Sequence, residues 1–230
     1  MTPVSMSLWI KICGVTTVGD AELAVRAGAD AVGVNFVAGS KRRVDEETAR
    51  DIVRAVGARA EVVGVVADWP ADALVALRAR LGLGSVQLHG SESPEALARL
   101  LPGAYRAARI ATSADVDAAR RFGGTRLLVD AKVAGTLGGT GHTFDWALVA
   151  ALARERALVV AGGLTPENVG AAVDAVRPYG VDTASGVEGD DPRRKDADKV
   201  ARFVDAARRA ARAAGLDSRA SVDYEPGRNP

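Results

Sequence analysis

The sequence predicts an α/β protein that forms one closed (β/α)8 TIM barrel, with parallel strands inside a ring of helices. Eight apolar, β-branched segments alternate with eight longer segments that are rich in Ala, Arg and Leu and have helical periodicity. Each strand–helix unit takes about 25 residues, as a parallel crossover does. An open, doubly wound sheet is the alternative, but eight units without a dinucleotide-binding fingerprint favour the barrel.

The predicted elements follow one another without a linker-like interruption. The strands are expected at residues 8–13, 31–36, 61–66, 85–88, 105–110, 126–130, 157–161 and 180–183. The helices are expected near residues 18–27, 46–56, 71–81, 94–100, 114–122, 144–154, 166–176 and 196–214. Residues 1–7 are then a short extension, residues 8–214 the barrel, and residues 215–230 a polar tail with Gly and Pro that is expected to fray.

Local signals support several helix ends. Ser93 precedes Pro94, and Thr165 precedes Pro166, so each pair combines a capping side chain with proline at the first helical position. Gly28 follows the first helix, where glycine commonly ends a helix.

Composition excludes several classes of function. Thirty Lys and Arg residues balance 29 Asp and Glu residues, which gives no reason to expect nucleic acid or an anionic membrane as the main partner. One cysteine excludes a disulfide framework and fits a reducing cytosol. The first residues lack the features of a signal peptide, and no apolar run approaches the roughly 20 residues that span a bilayer. A cytoplasmic protein is therefore expected.

Active sites of such barrels lie at the carboxyl ends of the strands and in the loops that follow. In this sequence polar and glycine-rich segments concentrate at those ends. They are Cys13, Ser40-Lys41-Arg42-Arg43, His89-Gly90, Asp130, Gly135–Gly141, Gly162-Gly163, Asp182 and Ser185-Gly186. The position of these segments supports the predicted register.

The first strand carries a lysine and the lone cysteine on one face. Trp9, Lys11 and Cys13 alternate with apolar residues, so the apolar face is expected toward the helices and this face toward the barrel axis. A lysine in a barrel lumen needs an anionic partner, for which Asp182 and Asp130 are candidates.

Glycines after the last two strands predict a phosphate site. Gly162-Gly163 and Ser185-Gly186 occupy the usual phosphate position of these barrels, where backbone N–H groups can approach an anion closely. Ordinary turns would also use glycine, so the glycines alone are a weak signal. We expect a phosphorylated small molecule as the substrate.

Taken together, these motifs resemble the phosphoribosylanthranilate isomerase family of tryptophan biosynthesis. The matching blocks span residues 11–188 in order: Lys-Ile-Cys-Gly-Val-Thr (11–16), Ser40-Lys41-Arg42, Gln87-Leu88-His89-Gly90, Val129-Asp130, Gly138-Gly139-Thr140-Gly141, Ala161-Gly162-Gly163-Leu164 and Ser185-Gly186-Val187-Glu188. The first and last blocks are the most specific. The resemblance implies an Amadori rearrangement of N-(5-phosphoribosyl)anthranilate to the aminoketose 1-(2-carboxyphenylamino)-1-deoxyribulose 5-phosphate, without a metal or an organic cofactor.

The resemblance also implies roles for individual residues. Asp130 is expected to be the general acid and Cys13 the general base, and Arg42 is expected to bind the anthranilate carboxylate. Gly163, Ser185 and Gly186, with Gly162 beside them, are expected to hold the phosphate. His89 and Asp182 are expected to line the substrate pocket, and a monomer or a homodimer is expected.

Three departures and two alternatives accompany this interpretation. Lys41 stands where the family usually has proline, which leaves Arg43 as a second candidate for the anchor, although spacing favours Arg42. Asn35 stands at a usually apolar position, and Thr183-Ala184 replaces a stretch that is often valine–serine or similar. The related histidine-pathway aminoaldose isomerase, or a bifunctional version, is one alternative, but that family places aspartate at the position of Cys13. The other is a non-catalytic phosphosugar-binding barrel, against which Cys13 and Asp130 argue.

Overall fold

A computed structural model of the protein describes residues 7–130 and 146–216. Eight parallel strands pair in chain order into a closed barrel, and β1 closes the ring against β8. The strands are β1 Trp9–Cys13, β2 Ala31–Asn35, β3 Glu61–Val66, β4 Ser85–Leu88, β5 Ala104–Arg109, β6 Arg126–Asp130, β7 Ala157–Ala161 and β8 Gly180–Thr183. The predicted (β/α)8 barrel is confirmed, with strand ends displaced by no more than one residue.

The helices alternate with the strands as predicted. Within the described residues they are α1 Val18–Arg26, α2 Glu46–Val56, α3 Ala71–Leu81, α4 Pro94–Ala98, α5 Ser113–Arg120, α6 Ala147–Ala150, α7 Leu152–Glu155, α8 Val169–Val176 and α9 Ala197–Ala213. The single helix expected over 144–154 is two short helices, α6 and α7, which meet at Ala151. Residues 144 and 145 lie outside the described residues.

One predicted helix start differs from the structure. The helix expected from Pro166 begins at Val169. The Thr165 Oγ1 does accept from the Glu167 backbone N–H over 3.2 Å, as a capping side chain does, and Asn168 Oδ1 accepts from the Thr165 backbone N–H over 2.8 Å. These two bonds stabilise a turn over residues 166–168, directly before the helix.

The other local signals are confirmed. The Ser93 Oγ accepts from the Ala96 backbone N–H, with Pro94 at the start of α4. Gly28 follows the end of α1 with a φ of +94°, a conformation that favours glycine.

The strands separate two apolar layers. The larger layer packs between the strands and the helices and includes Ile10, Ile12 and Leu8 of the first strand region. A smaller cluster fills the barrel lumen and consists of Trp9, Ala31, Val63, Tyr105, Ala107, Leu128, Val159 and Ala161. The prediction that Trp9 shares the inner face of β1 with Lys11 and Cys13 is therefore confirmed.

An arginine lies over two aromatic rings at the amino-terminal end of the barrel. The Arg126 guanidinium lies 4.6 Å from the ring centroid of Trp9 and 5.1 Å from that of Tyr105, and it donates to Glu61 over 2.9 Å. A cavity of about 610 Å³ adjoins these residues and Ser85. It lies at the opposite end of the strands from Cys13 and Asp130, so it is separate from the predicted site.

None of the helices in the described parts of the chain is long and apolar enough to cross a membrane.

Candidate active site

Lys11 is fully buried in the lumen and is bound to the neighbouring strand β8 and to β4 across the barrel. Its Nζ donates to Asp182 Oδ2 of β8 and to Gln87 Oε1 of β4, each over 3.0 Å. Burial alone would lower the pKa of Lys11, but the nearby negative charge of Asp182 and the Cys13 thiol outweigh it and raise that pKa. The predicted pairing of Lys11 with Asp182 is confirmed by this contact, and Lys11 is a fixed positive charge in the floor of the site.

Asp182 has one carboxylate oxygen in this contact and one without a partner. The buried Oδ1 accepts no hydrogen bond from any residue that the structure describes. A buried carboxylate oxygen without a donor is costly, typically by more than 1 kcal/mol. Asp182 Oδ1 is therefore suited to accept a hydrogen bond from a bound hydroxyl group.

Cys13 ends β1 one inward position above Lys11, and its thiol is a free, half-buried group. Gly33 of β2 makes the room for it, because a Cβ on Gly33 would lie 2.8 Å from Cys13 Sγ and 3.0 Å from Lys11 Cε. Burial raises the pKa of the Cys13 thiol, while the positive charges of Lys11 and Lys195 act to lower it. The thiol thus lies in a compact, positively charged environment.

Arg42 extends from the loop after β2 and packs against Gly14, which follows Cys13 and has a φ of +70°. Its Nε and Nη2 atoms donate to the two carboxylate oxygens of Glu188, the Nη2 bond being 3.0 Å long. Arg43, the second candidate for the anchor, is exposed. The geometry therefore favours Arg42 as the residue that faces the site.

Asn35 has a structural explanation at its unusual position. Its Oδ1 accepts from the Val37 backbone N–H over 2.8 Å, and its carbonyl oxygen accepts from the Val44 N–H over 2.9 Å. These bonds close both ends of the loop that carries Arg42. Lys41, at the family's usual proline position, is exposed in that loop.

Glu188 and Lys195 extend the charged cluster beyond Arg42. The buried Lys195 Nζ lies 3.4 Å from Glu188 Oε1 and donates to the Ala184 carbonyl oxygen over 3.0 Å. Although burial opposes it, hydrogen bonds from Arg42 and the charge of Lys195 lower the pKa of Glu188. In the sequence Glu188 stands out only as part of a motif, and Lys195, seven residues further on, lies in a loop without a distinctive pattern.

His89 and Asp130 lie at the carboxyl ends of β4 and β6. His89 Nδ1 is 3.4 Å from Gln87 Nε2, and burial lowers the pKa of this imidazole. Asp130 ends β6 and is close enough to both His89 and Asp182 for its charge to act on them. Residues from β1, β4, β6 and β8 therefore face a common space.

The predicted phosphate residues form adjoining turns after β7 and β8. Gly162 and Gly163 have φ values of +94° and +66°, and Ser185 and Gly186 begin a short 3-10 helix, Ser185–Val187. The backbone N–H groups of Gly162 and Gly163 donate to no other described residue. A Cβ on Gly186 would collide with the Leu164 carbonyl oxygen. Only glycine at 186 allows the two turns to pack together.

Two of the predicted features, a glycine-rich segment and the polar tail, involve residues that the structure does not describe. The Gly135–Gly141 segment lies outside the described residues, as does the tail beyond residue 216. Within residues 7–130 and 146–216 no group of three or more His, Cys, Asp or Glu side chains could hold a metal ion.

Comparison with known proteins identifies the family of the chain. Residues 10–206 match the family model described as N-(5'-phosphoribosyl)anthranilate (PRA) isomerase. The chain belongs to the PRA isomerase family. The isomerase activity and the role in tryptophan biosynthesis that the motifs predicted are confirmed with the family.

Similarity to individual PRA isomerases covers nearly the whole chain. The N-(5'-phosphoribosyl)anthranilate isomerase of Magnetococcus marinus is 43% identical over 211 residues, which are 92% of this chain and 100% of that protein. The crystal structure of phosphoribosyl anthranilate isomerase from Thermotoga maritima has a TM-score of 0.79 at 37% identity and covers 87% of this chain and 98% of its own. A structure of the isomerase in complex with reduced 1-(o-carboxyphenylamino)-1-deoxyribulose 5-phosphate has a TM-score of 0.77 at 35% identity, with 87% and 98% coverage.

Proposed function

We propose that this PRA isomerase converts N-(5-phosphoribosyl)anthranilate to its aminoketose by acid–base catalysis, with Asp130 as the acid and Cys13 as the base. One observation carries the proposal: Cys13 lies beside the buried cation Lys11 on the inner face of β1, while Asp130 ends a strand across the same space. A proton donor and a proton acceptor on opposite sides of a bound sugar are what the rearrangement needs.

The first step opens the sugar ring. Asp130 donates its proton to the furanose ring oxygen, the C1–O bond breaks, and the nitrogen lone pair forms the C1=N bond of an iminium ion. The iminium acidifies the hydrogen on C2. The positive charge of this intermediate also favours the thiolate form of Cys13, which adds to the effect of Lys11.

The second step moves the C2 proton. The Cys13 thiolate removes it, the C–H electron pair forms the C1=C2 bond, and the iminium becomes a neutral enolamine. Transfer of a proton to C1 and loss of the proton on the C2 hydroxyl then give the ketone. Protons balance over the whole reaction, and the electron pairs that reduce C1 come from C2 of the same molecule, so the rearrangement needs no external oxidant or reductant.

Arg42 and the glycine turns suit the two charged ends of this substrate. The planar Arg42 guanidinium matches a carboxylate, and its Nη1 donates to no residue that the structure describes, although Glu188 occupies Nε and Nη2. The N–H groups of Gly162, Gly163, Ser185 and Gly186 supply donors for a phosphate. Asp182 and His89 lie near Asp130, which places them beside the expected position of the sugar.

Two alternative functions remain distinguishable. The histidine-pathway reaction would need a second phosphate site, and the described residues show one pair of glycine turns. A non-catalytic phosphosugar-binding barrel would bind substrate without turnover. Assays with both aminoaldose substrates separate the three functions.

Rescue of a tryptophan auxotroph that lacks this isomerase tests the function. The unmodified chain is expected to restore growth, while Cys13→Ala and Asp130→Ala are each expected to abolish rescue and turnover in vitro. Circular dichroism of the purified variants checks that each retains the fold. Near-normal turnover in either folded variant would refute the assigned role of that residue.

The oligomeric state is proposed to be a monomer or a homodimer. A related structure is described as mutually generated monomers of the dimeric phosphoribosylanthranilate isomerase from Thermotoga maritima. Sedimentation of the chain over a range of concentrations distinguishes the two states. A cytoplasmic location stays a prediction.

A further inference from the structure

Gln87 has an amide whose orientation is fixed by its neighbours. Lys11 Nζ lies 3.0 Å from one end of this amide, and the Tyr105 hydroxyl lies 3.1 Å from the same end. An ammonium group has donors and no acceptor, so the atom that faces it must be the amide oxygen. The NH2 group of Gln87 is therefore at the other end, where it faces His89.

This orientation determines the proton position on His89. Gln87 Nε2 is 3.4 Å from His89 Nδ1, and an amide nitrogen donates but does not accept. Nδ1 must accept, so it carries no proton and the proton of the neutral ring is on Nε2. Nε2 is the ring nitrogen away from Gln87.

We propose that Gln87 is a positioning residue that fixes His89 as a neutral Nε2–H hydrogen-bond donor in the substrate pocket. The buried ammonium group of Lys11 thus determines the protonation of His89 by orienting the Gln87 amide between them. In this role His89 offers a hydrogen bond to an oxygen of the substrate and does not exchange a proton with it. The inference goes beyond the assignments of Cys13 and Asp130, neither of which it requires.

The surroundings of the imidazole agree with a neutral ring. Burial disfavours the imidazolium form, and Arg109 and Lys11 disfavour it further, while the carboxylates of Asp130 and Asp182 favour it. Desolvation is the largest of these effects and leaves the pKa of His89 below its usual range. The hydrogen bond from Gln87 adds a geometric constraint, because it is lost if Nδ1 gains a proton.

Nitrogen NMR of the free enzyme tests the proposal directly. Uniformly 15N-labelled protein contains two histidines, His89 and His142, and a His142→Gln variant assigns their signals. At pH 7 the wild-type His89 is expected to show a protonated Nε2 and an unprotonated Nδ1. Correlations that place the proton on Nδ1, or an imidazolium at pH 7, would overturn the proposal.

Substitutions at Gln87 and Tyr105 test the cause. Gln87→Glu is nearly isosteric but presents an acceptor to Nδ1, so His89 is expected to gain a proton there, either as the other tautomer or as an imidazolium. Tyr105→Phe is the matched control, since Lys11 still orients the amide and the Nε2–H tautomer is expected to persist. An unchanged tautomer in Gln87→Glu would refute the role of Gln87.

Steady-state kinetics of the Gln87 variants test whether this residue affects turnover. Gln87→Glu is expected to lower kcat/KM at least tenfold at pH 7, while Gln87→Met, which leaves Nδ1 without a partner, gives a mixture of tautomers and a smaller loss. The NMR experiment uses no substrate, so its outcome is independent of whether the proposed function holds. If the fold of one variant fails, the other two still report the tautomer.

Discussion

The Lys11 ammonium is bound to the Asp182 carboxylate inside the barrel, although 171 positions separate the two residues in the sequence. The side chain of Lys11 is 0% exposed and that of Asp182 is 7% exposed. Bulk water hydrates neither charge well, so each depends on the other, and Lys11 depends also on Gln87. This pair places a permanent positive charge under the thiol of Cys13.

Replacement of Lys11 by methionine is expected to destabilise the fold. Lys11→Met leaves the Asp182 carboxylate buried without its cation, and loss of one partner of a buried pair typically costs about 3–5 kcal/mol. Urea unfolding followed by circular dichroism measures the change in the free energy of unfolding. Arg202→Ala, which removes an exposed pair with Glu167, is the control and is expected to change little. Equal effects of the two substitutions would contradict the importance of the buried pair.

Gly33 is expected to be required for activity rather than for folding. Gly33→Ala would place a methyl group 2.8 Å from Cys13 Sγ, which must displace the thiol. The expected result is a fall in kcat of at least tenfold, since about 1.4 kcal/mol of lost transition-state stabilisation is already tenfold. Gly170→Ala in α8 is the matched control, because the nearest atom to its new Cβ is 3.9 Å away. If Gly33→Ala retains full activity, the thiol does not need its present position.

The reactivity of Cys13 is expected to depend on pH in a specific direction. It is the one cysteine in the sequence, so alkylation by iodoacetamide reports this thiol alone. Burial raises its pKa, so the rate in the free enzyme should rise with pH around a midpoint above the usual value of about 8.5. Lys11→Met removes a charge that lowers the pKa and should move the midpoint higher still. A midpoint below 8 in the wild type would contradict this account of the site.

The choice between the two adjacent arginines can be tested by a conservative change. Arg42→Lys keeps the charge but loses the planar fork, so KM is expected to rise about 10- to 100-fold, as for loss of a charge-assisted hydrogen bond. Arg43→Ala, at an exposed position, is expected to leave KM unchanged. Steady-state kinetics of the two variants decide the question. The reverse result would assign the carboxylate anchor to Arg43.

The sequence allowed most of the fold to be predicted because a parallel barrel repeats one local pattern. The apolar strands and the inner face of β1 depend on periodicity, which is local information. The start of α8 was predicted three residues too early, because Thr165 and Asn168 together hold a turn that precedes the helix. The length of that turn depends on which side chain reaches which backbone group in the folded chain.

The sequence predicts which residues lie at the strand ends of the site, but not the contacts between them. Cys13 and Asp130 were identified from a motif at the ends of their strands. The roles of Gln87 and Gly33 follow from their contacts with Lys11 and Cys13 on another strand, which sequence periodicity does not indicate. Likewise, the partnership of Arg42 with Glu188 joins residues 146 positions apart, and no local pattern indicates it.

Closure of the ring by β1 and β8 brings together residues of the proposed catalytic site that lie far apart in the sequence. Lys11 gains its carboxylate from Asp182 of β8, and Arg42 gains Glu188 from the segment after that strand. During synthesis on the ribosome, Cys13 is added long before Asp182 and Glu188. Contacts between residues so far apart in the sequence form slowly. Restoration of catalytic turnover during refolding is therefore a direct signal that the two ends of the barrel have met.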